Sequence, residues 1–197
     1  MAITIDGGTN IISGLAVGGL PDGVVDEDML ASNAVSSGKL ASGAGGKCLQ
    51  VVQDTLTDVF STNATSYTAI TGLSVTITPT SGSKILLMGF IGYGGQSAAN
   101  IFMGLFRDST ELLVGDAYSS APRSFAQFAG RNTNSQAGFS PMYLDTHGAD
   151  GSTAITYTVK TYSEGSSYYI YVNRCQEDNG STMARTASTL MAIEIGA

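Results

Sequence analysis

The sequence predicts an all-β protein: an antiparallel β-sandwich or jelly-roll-like unit preceded by a short extended or helical N-terminal stalk. Three observations predict it. Hydrophobic residues make up 43% of the 197 positions and charged residues only 13%. Against an average near 25% charged, the surface must be covered by Ser, Thr, Asn and Gly, a composition suited to β-sandwiches and extracellular fibres. After residue 47 the apolar residues fall in short alternating or continuous runs, the period of strands rather than helices. Turn-forming clusters recur between these runs every 8 to 15 residues or so, as in a sandwich or jelly roll.

The elements follow in chain order. Residues 1–19 hold two apolar scraps, Ile3-Thr4-Ile5 and Ile11-Ile12, separated by the turn signal Asp6-Gly7-Gly8-Thr9-Asn10. Scraps this short cannot bury themselves, so Ile3, Ile5, Ile11 and Ile12 are expected to dock on a partner. Residues 20–47 form a connector. Asp26-Glu27-Asp28 precedes Met29-Leu30-Ala31, the acidic start that suits the positive end of a helix dipole. Val25, Met29, Leu30, Ala34 and Val35 are spaced for one helical face, and Leu40 follows the Ser36-Ser37-Gly38 interruption. So short a helix is marginal alone in water and would be stabilised by copies of itself around an axis. Ser42-Gly43-Ala44-Gly45-Gly46 then reads as a hinge. Three segments result: 1–19, 20–47 and a β unit over 48–197.

Within the β unit, residues 73–78 (Leu-Ser-Val-Thr-Ile-Thr) alternate at period two, the mark of a half-buried strand. Residues 84–90 (Lys-Ile-Leu-Leu-Met-Gly-Phe) are a continuous apolar run, expected to be a central strand covered on both faces. Further strands are expected at 48–53, 59–62, 67–70, 100–107, 112–114, 124–129, 138–144, 155–162, 168–172 and 188–195. Their Thr and Tyr content favours the extended backbone.

Charge and termini exclude several classes. The net charge is −7, and the basic residues are scattered along the chain, so no nucleic-acid surface is expected. No start resembling a signal peptide and no apolar stretch near 18 residues is found, so no membrane partner is expected and the chain is read as made in a cytosol. Cys48 and Cys175 are too few and too far apart for a disulfide framework, and buried free thiols are favoured over a bond.

Chemistry-bearing residues are few, and no catalytic, cofactor or metal site is expected. The single histidine, His147, lies in Asp145-Thr146-His147-Gly148-Ala149-Asp150-Gly151. A His between two carboxylates could ligate a metal, but a polar turn accounts for the same residues. A Ser-His-Asp hydrolase would need His147 as its base, and no Gly-x-Ser-x-Gly elbow accompanies it. The acidic pairs in Asp26-Glu27-Asp28 and Glu177-Asp178 could serve a glycosidase, although adjacent loop carboxylates usually face solvent. Gly92-Tyr93-Gly94-Gly95 and Gly43-Ala44-Gly45-Gly46 lack the features of a phosphate loop. Tyr162, Tyr168, Tyr169 and Tyr171 are expected on two strands of one hairpin turning at Glu164-Gly165-Ser166-Ser167. Core packing is the plainer role for them; a subunit contact and stacking on a glycan are the others.

One stretch carries a resemblance. Gly19-Leu20-Pro21-Asp22-Gly23-Val24-Val25 leads into Asp28-Met29-Leu30-Ala31-Ser32-Asn33-Ala34-Val35-Ser36-Ser37-Gly38-Lys39-Leu40. This resembles the connector of tail fibres and other virion proteins of tailed bacteriophages from marine and fresh water, cyanophages among them. The segments 67–79, 83–86, 171–174 and 184–195 are similar to the β heads of those proteins. The resemblance implies a homotrimer, located in the virion and assembled from chains made in the host cytoplasm. The N-terminus would bind other virion proteins (of tail, portal vertex or capsid), Val25, Met29, Leu30, Ala34, Val35 and Leu40 would form the trimer stalk, and the head would contact a host surface glycan. Loops at 94–100, 116–122, 131–136 and 177–183 are the expected contact points. A capsid decoration protein that clamps the major capsid protein is the alternative, and a small glycan hydrolase a minor one. The resemblance brings no catalytic residue and no cofactor.

Overall fold

The structure, a computed structural model, describes residues 4–6, 11–13, 35, 48–96, 99–130 and 132–196. The chain divides into two units, Met1–Gly46 and Lys47–Ala197. In the first, β1 (Thr4–Asp6) and β2 (Ile11–Ser13) pair antiparallel, with Ile5 opposite Ile12 and Ile11 opposite Asp6. Ile3, Val25, Met29, Leu30, Ala34 and Leu40 lie outside the described residues, and Val35 is exposed.

The second unit is all-β and antiparallel, with no helix among the described residues. Its strands are β3 (Cys48–Leu56), β4 (Phe60–Thr62), β5 (Thr68–Ile77), β6 (Lys84–Gly95), β7 (Asn100–Arg107), β8 (Thr110–Leu112), β9 (Ala126–Ala129), β10 (Ala137–Phe139), β11 (Met142–Asp145), β12 (Ile155–Ser163), β13 (Ile170–Val172) and β14 (Ser188–Ile195). One sheet runs β3-β14-β6-β13-β4, with β10 and β11 also on β6; the other runs β5-β12-β7-β8, with β9 on β7. The two sheets share one core. Ile85, Leu87 and Ile91 of β6 and Leu190 of β14 meet Ile101, Met103 and Leu105 of β7, Val75 and Ile77 of β5, and Tyr157 and Val159 of β12. Each fully buried aliphatic side chain of this kind contributes about 1.5–3 kcal/mol.

Two expected strands, 67–70 and 73–78, are one bent strand. Ile70 and Leu73 are both buried although three residues apart. The pairing of β5 with β12 shifts between Thr158, opposite Ser74, and Lys160, opposite Ala69. Gly72, at φ +82°, supplies the backbone that lets a bulge reset the alternation. The expected strand 138–144 is instead two, β10 and β11. Pro141 separates them, having no N–H to give the ladder, and its carbonyl accepts the Gly89 amide at 3.1 Å.

Three further expectations are corrected. Residues 155–162 and 168–172 do not form a hairpin: β12 belongs to one sheet and β13, which pairs with β4 and β6, to the other. Residues 84–90 are central in their sheet but covered on one face only, since Met88 and Phe90 are exposed. Cys48 and Cys175 are both free, but only Cys175 is buried.

The topology gives the unit two ends. β3 begins and β14 finishes at one of them, with Ile195 opposite both Cys48 and Lys84. The loops after β5, β7 and β11 lie at this first end. At the second end β6 finishes at Gly95, opposite Ile170 where β13 begins, and β12 finishes at Ser163, opposite Ile101.

Candidate functional site

Asp145, His147 and Asp150 are each engaged in the fold. At the first end Asp145 is almost fully buried, and Nη1 of Arg107 donates to both its oxygens at 2.9 and 3.0 Å. The Tyr157 hydroxyl donates to the same carboxylate at 2.7 Å. Burial first, and then this hydrogen bond, push the Tyr157 phenol well above its ordinary range. His147 Nδ1 accepts the Ala149 amide at 2.8 Å, which leaves the proton on Nε2 facing the Ser83 hydroxyl at 3.3 Å. Asp150 turns away to cap its own loop. The Ser152 amide, the Ser152 hydroxyl and the Thr153 amide lower its pKa to about 2. Asp145, His147 and Asp150 therefore point to three different partners. No cluster of His, Cys, Asp or Glu among the described residues could hold a metal ion. A polar cleft of about 360 Å³ opens beside Arg107, Asp108, His147 and Asp150; the hydroxyl against the histidine, that of Ser83, donates to the Thr80 carbonyl at 2.7 Å and does not line the cleft.

Asp178, among the other acidic candidates, is engaged as well. Asp178 is held by Arg185 at 2.8 Å and lies 3.8 Å from Arg174; the hydrogen bond from Arg185 lowers its pKa despite opposing desolvation. The acidic run 26–28 lies outside the described residues.

Glu194, 1% exposed, ties three elements together. It accepts Gln50 Nε2 and the Thr80 amide, each at 2.6 Å. Burial opposes its ionisation, but bonds from Gln50, Ser83 and Thr80 outweigh burial and lower its pKa. A carboxylate depressed in the fold adds stability that is complete above its unfolded pKa and is lost as pH falls through the folded value. Urea unfolding midpoints should therefore fall from about pH 5 downward, and Glu194→Gln should reduce that slope. An unchanged slope would mean that Glu194 is not a source of it.

The four tyrosines separate into two groups. Tyr162 stacks on Phe102 with centroids 4.5 Å apart and meets Tyr67 edge-on at 4.8 Å. It belongs to an aromatic layer on the outside of the β5-β12-β7-β8 sheet, completed by Phe106, with Lys160 above its ring at 4.2 Å. Tyr169 and Tyr171 lie at the second end. Their rings are stacked 6.1 Å apart, and the Arg174 guanidinium sits 4.3 Å from the Tyr171 ring. Tyr171 is buried and Tyr169 is 42% exposed, so the ladder shows one ring to solvent. Tyr168 packs over Gly165, its amide donating to the Gly165 carbonyl at 3.0 Å.

Three of the four expected contact loops converge around this ladder. Gln96 receives the Tyr169 amide on Oε1 at 2.7 Å and donates its own amide to the Tyr169 carbonyl at 3.3 Å. The Glu177 amide donates to the Thr133 carbonyl at 3.0 Å, joining the 131–136 and 177–183 loops. Gln136 reaches the Ala184 carbonyl and the Thr186 hydroxyl. The fourth loop, 116–122, follows β8, at the edge of the other sheet.

A feature not anticipated from the sequence is the outer face of the β3-β14-β6-β11 strands. The register aligns Val51, Ile193, Leu86 and Leu144 in one row, and Gln53, Met191, Met88 and Met142 in the next. Val51 is 54% exposed, Met88 41%, Met142 66% and Leu144 45%. Phe90 borders a shallow apolar groove of about 240 Å³ between β6 and β14. Further along β6 the same face is closed. A side chain at Gly92 would collide with Thr186, and one at Gly94 with the Arg174 carbonyl, so these glycines let the chain after β13 lie flat on the sheet. The continuous apolar run at 84–90 was the available signal for this face; what one chain leaves open could not be read from it.

No family model matches the chain, and no curated protein is significantly similar to it.

Proposed function

We propose that this chain is a non-enzymatic structural protein of a tailed-phage particle, a short trimeric fibre whose β unit contacts the host surface. The observation that carries this reading is the convergence of loops 94–100, 131–136 and 177–183 around the Tyr169–Tyr171–Arg174 ladder. They gather at the end of the unit opposite the start of β3, where the N-terminal segment joins. An open aromatic ring with a cation and amide groups nearby suits the apolar face and hydroxyls of a sugar. Three such ends on one particle appendage would multiply a weak contact by avidity. Asp145, Asp150 and Asp178 are engaged within the fold, which fits a binding role better than hydrolysis.

The test uses purified particles. Tyr169→Ala and Arg174→Ala should leave the copy number per particle unchanged and slow adsorption by about tenfold or more. Unchanged adsorption by both variants would defeat the host-contact role. Quantitative mass spectrometry against the major capsid protein decides the location: a few tens of copies or fewer are expected for a fibre. Hundreds would favour capsid decoration, a reading supported by the open apolar sheet face, which a capsid protein could also cover.

A further inference from the structure

We propose that the open face of β3, β14, β6 and β11 is where copies of this chain meet, packed around an axis that runs along the strands. The number of copies, three, rests on the function proposed above; the face itself rests on the following observations. Residues 85–90 are apolar on both sides of the strand, a pattern that belongs to strands buried on both faces, yet one chain covers only the inner side. Three strands of about seven residues each and the four residues of β11, at about 4.8 Å between strands and 3.3 Å per residue, give a footprint on the order of 400 Å². That falls within the range of the largest apolar patch on a soluble monomer, which is often functional, and is about half of what each partner contributes to a standard interface.

Charge selects the occupant. Among the outward positions of these four strands only Lys84 is charged, while the chain as a whole carries −7. Symmetry places the same surfaces of identical chains near one another, and like charges brought together this way are costly. The neutral face is thus a place where two acidic copies can approach without that penalty. Its methionines, Met88, Met142 and Met191, are unbranched and adapt to one another in a self-packed layer. Direction follows from the topology. The chain joins β3 at the Cys48 end, and the converging loops lie at the other end. An axis along the strands keeps the N-terminal segments of all copies together and presents all the loops on one side. A two-fold axis across the strands would send them in opposite directions.

The experiment combines sedimentation of the full chain with hydroxyl-radical footprinting of its methionines. The wild type should sediment at three times 20.2 kDa, and Met88, Met142 and Met191 should oxidise at least fivefold more slowly than they do in the variant Val51→Lys/Leu144→Lys, which keeps all three methionines. Both positions are exposed in the single chain, so this variant should fold with an unchanged circular dichroism spectrum while its association weakens at least a hundredfold. Tyr118→Lys, placed where the side chain is 80% exposed on another surface, should behave as wild type. A trimer whose three methionines oxidise as fast as in the variant would overturn the proposal while leaving the fibre reading intact. A monomer whose methionines become protected only in whole particles would also overturn it, placing another virion protein on the face. Absence of the chain from particles would instead remove the fibre reading and leave the self-association result standing.

Discussion

Asn173→Ala is expected to destabilise the 47–197 unit by about 4 kcal/mol, one of the two largest single effects foreseen here. Asn173 is fully buried and sits at φ +63°, a left-handed conformation that Asn tolerates better than Ala. Its Nδ2 donates to the Leu56 and Asp58 carbonyls, each at 2.8 Å, and its Oδ1 accepts the Ser188 hydroxyl at 2.6 Å. Its backbone is also engaged: the amide donates to the Gly92 carbonyl at 2.8 Å and the carbonyl accepts the Thr186 amide at 3.0 Å. One side chain thus joins the end of β3, the start of β14 and the exit of β13. Truncation would strand two carbonyls and a hydroxyl, each costing about 1–3 kcal/mol when buried without a partner, and would place Ala in a conformation costing about 1–2 kcal/mol. Asn173→Gly, which removes the strain but not the lost bonds, should recover about 1 kcal/mol of the deficit. Urea unfolding followed by circular dichroism measures both. A loss below about 1 kcal/mol for Asn173→Ala would show that water or relaxation replaces these bonds.

Asp145→Ala is the second, with an expected loss of about 3–5 kcal/mol. The carboxylate is almost fully buried, and its removal leaves the Arg107 guanidinium and the Tyr157 hydroxyl without their acceptor at the edge of the core. The cost comes less from the lost attraction than from the half-buried cation left behind. Tyr157→Phe, which removes one neutral donor from the cluster, should cost only about 1 kcal/mol. Arg107→Met combined with Asp145→Leu should regain much of the single-variant loss, since an apolar pair needs no hydrogen-bond partners. If the double variant were as unstable as Asp145→Ala alone, the unpaired cation could not be the cause.

Both residues show where local sequence loses its power. Asp145 stands near His147 in the chain, but its partners come from β7 and β12, 38 and 12 residues away. Asn173 carried no local signal, because its bonds span 15 to 117 residues. The tyrosines make the same point. Alternation placed Tyr162 and Tyr169 on strands, but no local pattern says that the chain between them leaves one sheet for the other. Tyr162 therefore packs in an aromatic layer while Tyr169 stands open among loops.

The sequence by itself determined the all-β character and several strand positions, because these depend on the period of apolar residues and on turn formers within a few positions. Residues 100–107 and 188–195 match β7 and β14 at both ends. It also determined that residues 85–90 are apolar on both sides. Tertiary structure alone decided which of those sides faces the core. The choice depends on the register of β6 against β14 and β11, which is set by total core burial across two sheets rather than by any residue's neighbours in the chain. The same long-range pairing brought three separated loops to one end and aligned Val51, Ile193, Leu86 and Leu144 in a single row, because strand partners are chosen by the burial they achieve together.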